Sequence, residues 1–419
     1  MGLTGLLFPS GSTPLSVRCG DVYVCGWVLW RRCACASGWP WRPPPLPWAL
    51  RSPRRERTEP LSLGGGAAVV MPASNFVAAS APGCHVAAND VSFVLGTERV
   101  AKLRRRLGHK GRLPELSLDP KSKVLSLINS SNDSHVYFVS ICHPCEGRDG
   151  TLEMGSSRDA NGVASKCVTL VVQVPPQVVV DACTIQVARA RDVDLDSDIV
   201  TLPAERAAPS SSTESGSEPV VIGFPLPLGE GYLCSQSAGG ALTHRWHAST
   251  HHAVDLQAPH GTPVLAVLNG RVLDIKDGAV GGGCHVRGLF AYNALTIEHV
   301  ADRDGLPLYV EYVHVRAGSL RVAVGDEVRQ GDVVAEVGDA GFCPVAHLHI
   351  EAHRMRSASA PSVPIAFATL GAPECTFVAV AGRWYDARKG DVSEREDKAG
   401  MVSIRVSENA RMVEAVYLY

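Results

Sequence analysis

Between Val91 and Val200 the chain is written in short runs of Val, Ile, Thr and aromatic residues separated by turn-formers. The runs "VSFVLG", "KVLSLIN", "HVYFVSI", "CVTLVVQV" and "CTIQVAR" are punctuated by "NSSND", "GRDG" and "RDANG". Short β-rich runs at regular spacing predict an antiparallel sandwich-like domain, bounded here at 85–204. A second β-rich series occupies 223–368. It includes "TPVLAVLNGRVLDI", "NALTIEHV", the alternating "LYVEYVHV", and "VAVGDEVRQGDVVAEVG", which reads as a hairpin turned by Gly-Asp pairs. Neither series contains an amphipathic helical period, so the expected class is all-β, a hairpin-rich domain preceded by a smaller sandwich.

The flanks have different patterns. "RAAPSSSTESGSEP" has no apolar face and marks a flexible linker, assigned to 205–222. The segment 369–419 carries β-like "TFVAVAGRWYD" and "MVSIRVS … AVYLY" around a charged loop, and reads as a small β extension. Residues 1–70 show no hydrophobic period and hold five of the seven tryptophans among Pro and Arg repeats. They are expected to be disordered or non-native, with the working chain starting near Met71; the apolar stretch there lacks a basic start and a clean small-residue cleavage site.

Composition narrows the function by exclusion. A formal net charge of -2 gives no electrostatic case for nucleic acid or an anionic membrane surface, and no run reaches the length of a membrane-spanning helix. The 13 cysteines are scattered and odd in number, which fixes no redox compartment. Cys142 and Cys145 have the spacing of a metal knuckle or redox pair, yet with no second pair they equally suit structural thiols or a local disulfide.

The chemistry concentrates late in the chain. Eleven of the 15 histidines lie between His244 and His353. In "PVAHLHIEAH", His347 and His349 are two apart on a strand and therefore face the same way. Zinc accepts two imidazoles and a carboxylate with a fourth position open for water, so a partner acid and another histidine are needed. "THRWHASTHHAVDLQAPHGTPV" offers them: Asp255 sits among apolar residues, with His251 four residues before it and His247 and His244 further upstream. A histidine-rich surface loop is the bland reading of the same stretch.

Four ordered motifs then resemble the lysostaphin/LytM-type zinc metalloendopeptidases, which cut peptide bridges in bacterial peptidoglycan. They are Asp255 followed by "APHGTPVLAVLNGRV", then Tyr312-Val313-His314, then "VAVGDEVRQGDVVAEVG", then His347-Leu348-His349-Ile350-Glu351. The resemblance implies one zinc ion held by Asp255, His349 and a further histidine, either His244 or His251. It implies that His347 and His314 assist catalysis, His347 as general base toward a zinc-activated water and His314 at the oxyanion or leaving amine. A peptide or peptidoglycan substrate follows, and Glu351, two residues on from His349, is one candidate to hold that ligand's free ring nitrogen. Cys343 and Ala346 stand where the family usually has Ser/Thr and Pro. The alternative is a non-catalytic relative that binds glycan or a protein partner through the same groove. A biotinyl or lipoyl carrier would need a lysine at a hairpin tip, and Lys276 lacks that context.

Overall fold

The computed structural model describes residues 76–87, 113–147, 150–202, 218–229, 231–300, 305–357 and 359–393. The expected strand "VSFVLG", the tryptophan-rich segment and the "MVSIRVS … AVYLY" tail lie outside them. Strands dominate; among the described residues the helical turns are short 3-10 segments at Ala190–Asp192, His244–Trp246 and Val286–Phe290.

The upstream half contributes β1 (Phe76–Ala81), β2 (Cys84–Ala87), β3 (Leu116–Leu118), β4 (Val124–Asn129), β5 (Ser134–Ile141), β6 (Cys145–Gly147), β7 (Gly150–Leu152), β8 (Gly155–Arg158), β9 (Ala164–Val174), β10 (Val178–Ile185) and β11 (Leu195–Leu202). One sheet runs β3-β4-β10-β6-β7; β9 centres the other, with β2, β5 and β8 hydrogen-bonded to it. Alternate residues pack the space between the sheets: Leu125 and Leu127, Tyr137, Val139 and Ile141, then Val168, Leu170, Val172 and Val174 against Val178 and Val180. The period of two in the sequence becomes the sandwich core. One departure from the antiparallel expectation is β2, which runs parallel to β9. Cys142 and Cys145 are unbonded thiols, and Cys145 turns its sulfur to the His143 carbonyl.

The second half continues with β12 (Val220–Gly223), β13 (Tyr232–Gln236), β14 (Val254–Gln257), β15 (Pro263–Leu265), β16 (Gly270–Lys276), β17 (Gly282–Gly283), β18 (Ala294–Val300), β19 (Pro307–Val313), β20 (Glu327–Val328), β21 (Val333–Glu336), β22 (Gly341–Phe342), β23 (His347–His353), β24 (Ile365–Thr369), β25 (Ala372–Phe377), β26 (Trp384–Asp386) and β27 (Gly390–Asp391). Its main sheet has the order β20-β16-β18-β19-β23-β14-β13-β26-β27. β12 starts inside the stretch read as linker: its Val-Val-Ile run pairs in parallel with β24, and Ile222 is buried. At the other end β26 and β27 of the 369–419 extension join β13 and lengthen the same sheet, while β25 pairs with β24 beside β12.

Strand β23 is buried along its whole length. Leu348, Ile350 and Ala352 enter the core with Val254, Leu256, Val310 and Tyr312. The intervening His347, His349, Glu351 and His353 therefore share the opposite face.

Candidate metal centre

Register assembles the site. In the antiparallel β14–β23 pair Asp255 lies opposite His349, and in β13–β14 Gln236 lies opposite Asp255 after an irregular step. Val254 and Leu256 are core residues, so alternation turns the Asp255 carboxylate onto the histidine face. The third donor comes from the short helical turn His244–Trp246, where Trp246 is buried and its indole N–H donates to the Leu242 carbonyl at 3.2 Å.

Asp255 is 2% exposed and surrounded by polar partners. Its Oδ1 lies 3.1 Å from His244 Nε2 and 2.9 Å from His349 Nδ1. Its Oδ2 accepts from Gln236 Nε2 at 2.7 Å, with His347 Nε2 at 3.7 Å. One donor atom from each of His244, Asp255 and His349 lies within 4.8 Å of the others.

The outward nitrogens fix which ring atoms face inward. A carbonyl only accepts, so His244 Nδ1 carries the proton it gives to Ser237 O at 3.0 Å, and its Nε2 points at the carboxylate. His349 Nε2 faces Glu351 Oε2 at 3.4 Å, leaving Nδ1 toward Asp255. Glu351 in turn meets His353 Nε2 at 3.2 Å. Two imidazole nitrogens thus confront one carboxylate oxygen in a buried pocket, an arrangement that requires a proton or a cation between them. Burial opposes charge on His349, yet its bonds to Asp255 and Glu351 raise its pKa to about 10. Burial likewise opposes ionisation of Asp255, but the adjacent His244 and His347 hold it well below the usual carboxylate range. Nitrogen, nitrogen and carboxylate oxygen, each backed by an outer hydrogen bond, form a donor set that fits zinc.

Two further histidines complete the face. His347 gives its Nδ1 proton to Val345 O at 2.7 Å, and His314 gives its own to Ala340 O at 2.7 Å. Their rings stand 4.7 Å apart. Burial lowers the pKa of both below 6.5, and the neighbouring histidines lower that of His314 further. Each is a neutral imidazole with an unprotonated Nε2. His314 sits at φ 65°, a left-handed conformation unusual for a side-chain-bearing residue. That backbone is fixed by His314 N–H to Asn293 O and Gly338 N–H to His314 O, both 3.0 Å.

Of the two histidines left open by the sequence, His244 reaches Asp255. His251 lies in the turn before β14, its carbonyl accepting from Gly239 and its ring against His252 at 4.8 Å. The expected Glu351–His349 contact is present. Sequence reading missed Gln236, which no motif flags, and Glu311, which pairs across from Glu351 on β19.

Residues 249–361 match the family described as Peptidase family M23. An uncharacterized metalloprotease of Buchnera aphidicola subsp. Baizongia pistaciae (strain Bp) is 28% identical over 103 residues, 25% of this chain and 23% of that protein. Endolysin 2638A of Staphylococcus phage 2638A is 31% identical over 104 residues, 24% of this chain and 18% of that protein. The chain thus spans less than a quarter of the length of either relative. Among solved structures, the catalytic domain of the antimicrobial peptidase lysostaphin from Staphylococcus simulans is similar at 22% identity and a TM-score of 0.22, covering 33% of this chain and 89% of that one.

Proposed function

We propose, from the match of residues 249–361 to Peptidase family M23, that this protein is a zinc-dependent endopeptidase acting on peptidoglycan-type cross-bridges. The observation that carries the reading is the convergence, on one sheet face, of a His244–Asp255–His349 donor set with two neutral imidazoles beside it. In this reading His244, Asp255 and His349 hold the ion, and His347 and His314 are the catalytic residues. Bound zinc supplies Lewis-acid polarisation of the scissile carbonyl and lowers the pKa of a water to about 7.

The chain's own residues manage the protons. His347 Nε2, freed by the Nδ1–H bond to Val345, takes a proton from the attacking water. Because burial depresses its pKa, the resulting imidazolium releases that proton readily. That proton passes to the departing amine, while His314, which faces the same space with its own free Nε2, accepts a hydrogen bond from that amine's N–H and orients it. Ser237, Val345 and Ala340 carbonyls and the Glu351 carboxylate fix the ring orientations, so little reorganisation is needed during the reaction. The sequence likeness to an endolysin motivates the cross-bridge substrate.

The test is hydrolysis of purified peptidoglycan and of a panel of Gly- and D-Ala-containing peptides by the full chain. Cleavage that is lost on chelation and restored by zinc supports the proposal. Stoichiometric zinc with no cleavage of any panel member would instead favour a non-catalytic binding protein.

A further inference from the structure

The sheet that begins in the upstream sandwich does not end there. β8 pairs with β9 on one side and with β17 on the other, and β17 pairs in parallel with β22. Strands from residues 155–158, 282–283 and 341–342 therefore form one ladder that enters the peptidase domain. Side chains reinforce it. Ser157 Oγ donates to Gly282 O at 3.2 Å, Thr169 Oγ1 donates to Cys284 O at 2.5 Å, and Val286 N–H donates to Ser140 Oγ at 2.9 Å. Arg158 bridges Asp339 at 2.8 Å, and Arg287 pairs with Asp196.

The seam is buried and close. Cys167 and Cys284 are fully buried, their sulfurs 3.4 Å apart, with Cys84 also buried beside them. Gly283 stands at φ +109°, and a Cβ there would lie 2.2 Å from Ser156 O. Only glycine permits the two backbones to approach in this way.

From the seam the ladder leads directly to the catalytic histidines. Gly281 O accepts from Gly341 N–H, and Gly283 O accepts from Cys343 N–H, both at 2.9 Å. Residues 340–343 thus hang on β17. The Ala340 carbonyl anchors His314 Nδ1, and Cys343 Sγ lies 3.3 Å from His347 Nδ1. Two-residue strands are weak alone, and β17 without β8 would present a bare edge. We propose that the upstream sandwich is a working part of the catalytic centre: through the β8–β17–β22 ladder it positions His314 and His347, with Gly283 and Arg158 as positioning residues. It is neither a pro-region covering the cleft nor a passive spacer. This rests on the reading of these two histidines as catalytic.

The test uses the full chain with Gly283→Ala, Arg158→Asp, and the charge-swapped Arg158→Asp/Asp339→Arg pair. Zinc content, kcat, KM and amide hydrogen exchange of Gly341 and Cys343 are measured together. The expected result for Gly283→Ala is retained zinc, little change in KM, kcat reduced roughly tenfold or more, and faster exchange at both amides. Arg158→Asp should reduce kcat by about two- to fivefold, since a half-exposed pair is weak, and the swapped pair should recover it. If Gly283→Ala does not fold, the Arg158 series carries the test. A rise in kcat would establish an occluding pro-region and overturn the proposal. Unchanged kcat despite faster exchange would establish a spacer, and unchanged exchange would show that the sandwich does not hold this segment. Failure of the wild type to hydrolyse any peptide would instead refute the proposed function, while the exchange measurement would still decide whether the sandwich holds the segment.

Discussion

Gln236→Leu is the most informative single change, because Gln236 touches one ligand of the proposed zinc site, Asp255, and the residue next to another without belonging to the site. Its Nε2 donates to Asp255 Oδ2 at 2.7 Å and to Thr243 Oγ1 at 3.1 Å, while its Oε1 accepts from Thr243 N–H at 3.2 Å. Thr243 directly precedes His244, so one amide braces the carboxylate and the loop carrying the third donor. Gln236 is 3% exposed and Asp255 2%, so no water replaces the lost donor without rearrangement. A buried hydrogen bond to a charged group is worth about 1.5–3 kcal/mol, which corresponds to roughly 10- to 150-fold in an equilibrium constant. Leucine keeps most of the volume, so the packing cost is small. Competition against a chromophoric chelator should show zinc affinity reduced by about 10- to 100-fold, the range typical of outer partners of a metal site. The melting temperature of the zinc-free protein should change little in comparison. Zinc affinity within twofold of wild type would refute the bracing role assigned to Gln236.

The other predictions concern protons. His347→Gln should retain zinc but reduce kcat by about 10²–10⁴-fold; loss of the ion in this variant would make His347 a ligand rather than the base. In the wild type, His347 is held below its ordinary value of 6.5, so it remains an unprotonated base at pH 6.5. The acid limb of kcat/KM should therefore fall below pH 6.5, and a midpoint at or above 6.5 would contradict the burial argument. Glu311, opposite Glu351, is raised to about 7 by burial and then by that neighbouring carboxylate. Its folded pKa exceeds its unfolded one, so stability present below about pH 4.5 is lost as the pH rises through 7. Glu311→Gln removes that loss. With a discount for partial exposure, denaturant unfolding should show a gain of about 1–2 kcal/mol at pH 8 and none at pH 4.

What the sequence disclosed follows the reach of its periodicities. Alternation in "HLHIEAH" puts the histidines and Glu351 on one face and Leu348 and Ile350 on the other, and β23 has that arrangement. Asp255 between Val254 and Leu256 was legible for the same reason. The choice between His244 and His251 was not, because it depends on how a loop folds over β13. Gln236 was hidden because its role arises from pairing with Asp255, 19 residues away, after a register shift. The joining of sandwich and peptidase was also unreadable: β17 is Gly282-Gly283, which carries no side-chain pattern, and β22 is two residues long. The strand Val220–Gly223 was obscured by the Ser/Pro tract that precedes it.

The most direct test of the central claim is the location of zinc in crystals of the full chain by anomalous diffraction at the zinc edge. The account predicts one strong peak at about 2.0–2.1 Å from His244 Nε2, His349 Nδ1 and an Asp255 oxygen, with His347 and His314 outside the coordination shell. A peak on His251, or one held by Glu311, Glu351 and His353 in place of this site, would contradict it.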